Sequence, residues 1–114
     1  MKRVTYIMLA SAALFLLAGC NIQDHLLFKG SGGLRATNPD RVRLYTGGEV
    51  PGKKIRYVGY VVTDMVGNDA VKAVIALKDE AAMLGANAVI HFRLTKLNGF
   101  CVRCGAAGIA VFAE

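Results

Sequence analysis

The chain has 114 residues, a hydrophobic fraction of 54% and a formal net charge of +6. That length supports one small domain and excludes a second one. The first 19 residues raise both the hydrophobic fraction and the mean hydropathy, so the rest of the chain is more polar than the total indicates.

Residues 1–19 have the anatomy of a secretory signal peptide. Lys2 and Arg3 form a short positive segment, residues 4–17 are almost entirely apolar, and two small residues follow. The apolar run is about 14 residues long, whereas a membrane-spanning helix needs about 20. We therefore predict a cleaved signal rather than an anchor helix.

Leu17-Ala18-Gly19-Cys20 resembles the bacterial lipobox at every position. The resemblance implies cleavage before Cys20, a diacylglycerol thioether on its sulfur and N-acylation of the new amino end. Two or three acyl chains anchor a protein stably, whereas a single chain holds it only marginally. Asn21, rather than an aspartate, follows the cysteine, which resembles the signal for outer-membrane sorting. We expect an exported protein, lipid-anchored on the periplasmic face of the outer membrane if the cell is Gram-negative.

Export also limits which partners the net positive charge can indicate. With Lys2 and Arg3 set aside, twelve basic residues stand against eight acids. Nucleic acid is not an expected partner of an exported lipoprotein. The surplus fits a soluble surface with some attraction to anionic headgroups or acidic envelope polymers.

Residues 20–40 are interpreted as the lipidated cysteine and a flexible tether. Residues 30–33 read Gly-Ser-Gly-Gly, which is typical of a linker. Asn38-Pro39-Asp40 indicates a turn at the entry to a folded region. The predicted division is thus a signal peptide over 1–19, a tether over 20–40 and a domain over 41–114.

The domain begins with two predicted strands. Residues 41–46 alternate strictly between polar and apolar side chains, which predicts a strand. A Gly- and Pro-containing loop follows, and residues 54–63 are rich in β-branched and aromatic residues. Gly59 inside this second strand indicates a bulge or a close approach of another backbone.

A helix is predicted over 70–84, capped at its start by Asn68 or Asp69. Gly85 follows, where a helix C-cap favours a residue with positive φ. Apolar residues spaced by three and four define a core-facing stripe, with charged residues turned outward. The predicted stripe comprises Val71 or Ala70, Val74, Leu77, Ala81 and Leu84, and the predicted outward set comprises Lys72, Lys78, Asp79 and Glu80.

Two further strands complete the pattern. Residues 88–95 alternate, and residues 107–113 form a last apolar run, with a turn signal at Asn98-Gly99 between them. The order β-β-α-β-β predicts a small α+β domain, with one helix packed on a mostly antiparallel sheet. Because one helix covers one sheet face, oligomerisation through the other face or an edge is also expected.

Two motifs resemble the YbjQ-like family, which is often labelled heavy-metal-binding. The first is Tyr57-Val58-Gly59-Tyr60-Val61, and the second, at the end of the following helix, is Leu84-Gly85-Ala86-Asn87-Ala88-Val89-Ile90. The same block is similar to RcsF-like envelope lipoproteins, which take part in stress sensing. The resemblance covers residues 41–113 and implies a compact α+β domain and a tendency to form rings. In the second motif, Gly85 would end the helix and Asn87 would bond the turn backbone. RcsF-like proteins carry two disulfides around this domain, whereas this chain has only one closely spaced pair.

That pair is Cys101 and Cys104, the sulfurs left once Cys20 is lipidated. In an oxidising compartment an even pair suits a structural disulfide, here across a hairpin tip with Val102-Arg103 as turn residues. Thiolates at this spacing also bind soft metal ions, and a dithiol can exchange with other disulfides. The sequence is compatible with a disulfide, a metal site, a redox pair or two free thiols.

A metal site would need further ligands, and His91 on the preceding strand is the candidate for a third. No cofactor other than the lipid on Cys20 is expected. The sequence contains no nucleophile-base set, paired carboxylates or phosphate-binding loop, so no catalytic residue is predicted. The expected function is a non-enzymatic envelope lipoprotein that works in binding, assembly or stress sensing. Its expected partners are the membrane, an envelope protein or further copies of itself, and the alternative function is heavy-metal binding through Cys101 and Cys104.

Overall fold

The computed structural model describes residues 21–67, 69–98 and 103–114. The predicted signal peptide, the lipidation site Cys20 and Cys101 lie outside these residues. Among the helices described here, none is long and apolar enough to cross a membrane.

The described chain forms a five-stranded sheet with one α-helix. The strand order is β1-β3-β5-β4-β2, and every neighbouring pair is antiparallel except β2 with β4. The predicted α+β class, with one helix on a mostly antiparallel sheet, is confirmed. The elements are β1 (Ile22–Leu27), a 3-10 helix (Pro39–Arg41), β2 (Arg43–Leu44), β3 (Ile55–Val66), α1 (Ala70–Met83), β4 (Ala88–Asn98) and β5 (Arg103–Ala113).

Strand β1 is the main departure from the predicted topology, because the sequence places residues 22–27 in a flexible tether. The structure instead pairs them with β3, from Ile22 opposite Asp64 to Leu27 opposite Gly59. Two polar side chains of β1 also reach the helix. Gln23 Nε2 donates to the Ala76 carbonyl at 2.9 Å, and His25 Nδ1 lies 2.5 Å from Glu80 Oε1. These contacts make β1 an edge strand of the domain.

The first predicted strand is shorter than expected. Pro39–Arg41 forms a 3-10 turn, and the Asn38 side chain accepts a hydrogen bond from the Asp40 amide at 3.0 Å. Because this cap holds the backbone in a turn, the extended segment contracts to Arg43–Leu44. At Gly59, by contrast, the predicted bulge and close approach are both present. The β3–β5 register shifts there, and a Cβ on Gly59 would lie 2.5 Å from the Leu26 carbonyl oxygen.

Helix α1 starts as predicted, and Leu77 and Ala81 of the predicted stripe are buried, but the rest of the buried face differs from the prediction. The Asp69 side chain accepts a hydrogen bond from the Val71 amide at 3.0 Å, which caps the N-terminus. Val71, one of the two residues predicted to start the core-facing stripe, is exposed, whereas Glu80, predicted to face outward, is buried. The physical reason is that α1 packs close to the sheet through its alanines, whose small side chains allow the short distance. The buried residues of α1 are Ala73, Ala76, Leu77, Glu80, Ala81 and Ala82.

Gly85 ends the helix as predicted, with φ of +90°. The Gly85 amide donates to the Ala82 carbonyl and the Ala86 amide donates to the Ala81 carbonyl, each at 3.0 Å. This is the Schellman arrangement of a helix C-terminus. The prediction that Asn87 bonds the turn was wrong. Its side chain instead donates to the Ala113 carbonyl at 2.8 Å and accepts from the Ala113 amide at 2.7 Å, which ties the end of β5 to the start of β4.

Two hydrophobic clusters flank the sheet. The larger lies between α1 and the sheet and includes Val58, Val61, Leu77, Val89 and Ala110. The smaller lies on the opposite sheet face, where Val50 from the β2–β3 loop covers Ile90 and Val111. That loop covers one end of the second face only, and β1 and β3 extend beyond it.

Candidate functional site

Cys104 lies at the start of β5, where its side chain faces the helix. It is only 2% exposed and belongs to the larger hydrophobic cluster, opposite Met65 of β3. Arg103 is also part of β5 and pairs with Asn98, so the prediction of Val102-Arg103 as the turn was wrong in its second residue. Because Cys101 lies outside the described residues, the predicted disulfide stays a prediction.

His91 lies at a different place from Cys104. Ile90 pairs with Ile109 of β5 and Arg93 pairs with Ala107, so His91 lies opposite Gly108. Gly108 is four residues from Cys104 along β5, which is roughly 13 Å. The His91 ring packs instead against Gly48, where an added Cβ would lie 2.8 Å from Nε2. Its backbone amide donates to the Gly47 carbonyl at 2.9 Å, and its φ is +50°. His91 therefore fixes the β2–β3 loop, and the structure does not bring it to the cysteine.

In the described parts of the chain, no group of three or more His, Cys, Asp or Glu side chains is arranged to hold a metal ion. If the cysteine pair binds a metal, its remaining ligands must come from somewhere other than His91, because of the separation given above.

Several exposed apolar side chains lie together on the sheet face opposite α1. Strand alternation defines it, because Gln23 and Thr63 point to the helix and bond its carbonyls, so their strand neighbours point away. Side chains of directly paired residues share a face, which places Leu26 beside Tyr60. We call this surface the open face and define it by Ile22, Leu26, Phe28, Tyr57, Tyr60 and Val62.

An aromatic cluster lies on the open face where β1 ends. The Phe28 ring packs edge-on against Tyr60 at 4.9 Å between centroids and against Tyr57 at 6.5 Å. Edge-to-face pairs at these distances hold the rings in place. Tyr57 and Tyr60 are each 51% exposed and Leu26 is 65% exposed, although they are ordered parts of a sheet. This combination of rigid aromatic rings and exposure is typical of protein interaction sites.

The open face also carries charged groups. Asp24 lies opposite Val62 on this face and is exposed, and its carboxylate accepts a hydrogen bond from the His25 amide at 2.8 Å. Asp64 is paired with Arg103, whose Nε donates to Asp64 Oδ1 at 3.0 Å. The face therefore combines an apolar and aromatic surface with charged groups, as many protein interfaces do.

Sequence reasoning found part of this surface only. Tyr57 and Tyr60 lie in the strand predicted over residues 54–63, but Leu26 and Phe28 were assigned to the tether. The sequence carries little signal for this strand, because Asp24 lies between Ile22 and Leu26 on one face and Leu27 shares the other face with Gln23 and His25.

Comparison with known proteins shows a similarity to a solved structure. No protein-family model matches the chain, and no curated protein matches it. Among solved structures, the chain is similar to the crystal structure of a Francisella virulence factor, FvfA, in its orthorhombic form. The two are 20% identical, with a TM-score of 0.55 over 80% of this chain and 97% of that chain. At this identity the similarity shows a shared fold.

Proposed function

We propose that this protein is a non-enzymatic lipoprotein of the bacterial envelope, and that it works by binding another envelope protein through the open face. The observation that carries the proposal is the aromatic cluster of Phe28, Tyr57 and Tyr60, with both tyrosines half exposed on a rigid sheet. Tyrosine is enriched at protein interfaces because it offers a large contact area with little side-chain entropy to lose.

Asp24 favours a protein over a lipid surface as the occupant. Its exposed carboxylate lies on the open face between Ile22 and Leu26, so burying the face in a bilayer would bring the charge into the headgroup region of anionic lipids. A protein partner can place a cation opposite Asp24 and apolar side chains opposite Leu26 and Tyr60. We therefore expect a partner with an apolar patch bordered by lysine or arginine.

Lipidation at Cys20 is the second part of the proposal, and the lipobox resemblance supports it. Asn21 Oδ1 accepts a hydrogen bond from the Val66 amide at 2.8 Å, and β1 begins at the next residue. A lipid on Cys20 would therefore hold the sheet directly at the membrane, with no long tether between them. The partner would then be a membrane protein or a protein held at the same surface.

Mass spectrometry of protein extracted from the membrane fraction tests the anchor. We expect an N-terminal peptide that starts at acylated Cys20, and release of a Cys20→Ser variant from the membrane. An unmodified peptide that retains Met1 would contradict the anchor.

Co-purification tests the binding surface. We expect Tyr60→Ser to reduce recovery of the partner from solubilised envelopes, while Ile75→Ser, at an exposed apolar position on α1, leaves recovery unchanged. Equal effects of the two variants would contradict binding through the open face.

For the cysteine pair we propose a structural disulfide. The burial of Cys104 in the core beside Met65 supports this role, because a redox-exchange thiol must be accessible to its substrate. Thiol titration of unreduced, unfolded protein should find no free sulfhydryl. Stoichiometric metal in elemental analysis, lost in the Cys101→Ser/Cys104→Ser variant, would support the heavy-metal alternative instead.

A further inference from the structure

A second surface feature lies at the end of the sheet where β4 begins and β5 ends. It is a cleft of about 370 Å³ between the 3-10 helix, β2, the β2–β3 loop and the junction of β4 with β5. Arg41, Arg43 and Lys53 line it, together with Asn38, Tyr45 and Phe112 among others, and we call it the basic cleft. A volume of this size accommodates a group as large as a monosaccharide.

The charge of the basic cleft is one-sided. Three cationic side chains line it, and no carboxylate side chain does. Within the described part of the chain, Arg41, Arg43 and Lys53 make no ion pair with Asp or Glu. Like charges gathered in one concavity repel one another, so an anion that enters gains from all three at once.

Backbone contacts position the residues that carry these cations. Val42, between the two arginines, is only 2% exposed, whereas Arg41 and Arg43 on either side of it are both exposed. The Arg43 amide donates to the Asn87 carbonyl at 3.2 Å. On the other side of the cleft, the Lys53 amide donates to the carbonyl of the buried Val50, also at 3.2 Å. These backbone hydrogen bonds place three exposed cationic residues around one cleft.

The side chains present determine the ligand chemistry. An arginine guanidinium binds carboxylate and phosphate oxygens through paired N–H donors, and lysine adds a point charge. Phe112 and Val50 supply apolar surface beside the cations, which suits the carbon skeleton of a ligand and not a bare ion. We propose that the basic cleft binds a sugar-sized group that carries an oxyanion, phosphate or carboxylate. This binding is separate from the open face and holds whether or not Cys20 is lipidated.

The test is a ligand titration followed by NMR on the full chain, purified in a non-ionic detergent at low salt. The probes are glucose 6-phosphate, glucuronate and uncharged glucose. We expect saturable shifts of the Arg43, Tyr45 and Lys53 signals with one or both anionic sugars, at least about tenfold tighter than with glucose. Tighter binding of glucose 6-phosphate would identify phosphate as the oxyanion, and tighter binding of glucuronate would identify carboxylate.

Matched variants complete the experiment. Arg43→Gln should weaken binding about tenfold, and Arg41→Gln, in the exposed 3-10 turn, provides the same test if the first variant folds poorly. Lys72→Gln, on the exposed side of α1, removes the same charge elsewhere and should leave binding unchanged. Equal binding of glucose and the anionic sugars, or equal losses in Lys72→Gln and Arg43→Gln, would overturn the proposal.

Discussion

Replacing His25 by alanine removes the side chain that bonds the buried carboxylate of Glu80. The two side chains meet at 2.5 Å, and the Glu80 side chain is only 6% exposed. Without His25, Glu80 keeps its desolvation cost and loses this hydrogen-bond partner. A buried acceptor left without a partner costs about 1–3 kcal/mol, and more if it is charged. For a domain of this size each kcal/mol lowers Tm by roughly 4–8 °C.

Urea and thermal unfolding of residues 21–114 measure this loss. Lys29→Ala is the control, because Lys29 is exposed just beyond β1 and should change the free energy of unfolding by no more than about 0.5 kcal/mol. The His25→Ala/Glu80→Ala double variant should lose less than the sum of the two single variants, because the residues are in contact.

The same measurement decides between a strand and a tether for residues 22–27. In a flexible tether, His25 would contact nothing in the domain, and His25→Ala would match the Lys29→Ala control. That result, together with additive single variants, would refute both the His25–Glu80 contact and the assignment of β1 to the sheet.

Three further substitutions test the backbone features of the fold. Gly59→Ala places a Cβ 2.5 Å from the Leu26 carbonyl oxygen and should cost about 1–3 kcal/mol in urea unfolding; an unchanged midpoint would contradict the close approach of β1. Gly85→Ala forces alanine to a φ of +90° and should cost about 1–2 kcal/mol in thermal unfolding, and equal Tm values would argue against the Schellman end. Asn87→Ala removes two bonds to Ala113 and should speed hydrogen exchange of the Ala113 amide, whereas unchanged exchange would show that β5 ends without this support.

The elements with strong local signals were predictable. Asp69 and Gly85 mark the two ends of α1 because capping depends on a few adjacent residues. Gly59 marked the bulge in β3 for a similar reason, since it is the residue that allows the Leu26 backbone to come close. The alternating and apolar runs of the remaining strands then determined the fold class.

The features that depend on tertiary packing were not predictable in the same way. Glu80 is buried because alanines bring α1 close to the sheet, and a count of large apolar residues gives alanines little weight. Strand β1 escaped prediction because its helix-facing residues Gln23 and His25 are polar and find their partners only in the folded domain. The basic cleft escaped for a related reason, since Lys53 joins Arg41 and Arg43 only once the β2–β3 loop has folded back.

Site-specific photo-cross-linking in living cells tests the central claim, binding through the open face, most directly. A photoreactive residue at position 60 should give a discrete cross-linked product with an envelope protein, whereas the same residue at position 75, on α1, should not. Replacing Asp24 by lysine should abolish the product at position 60, because it reverses the charge that the partner's cation faces. A product at position 75 but not at 60, or a product at 60 that is a dimer of this chain, would contradict the account.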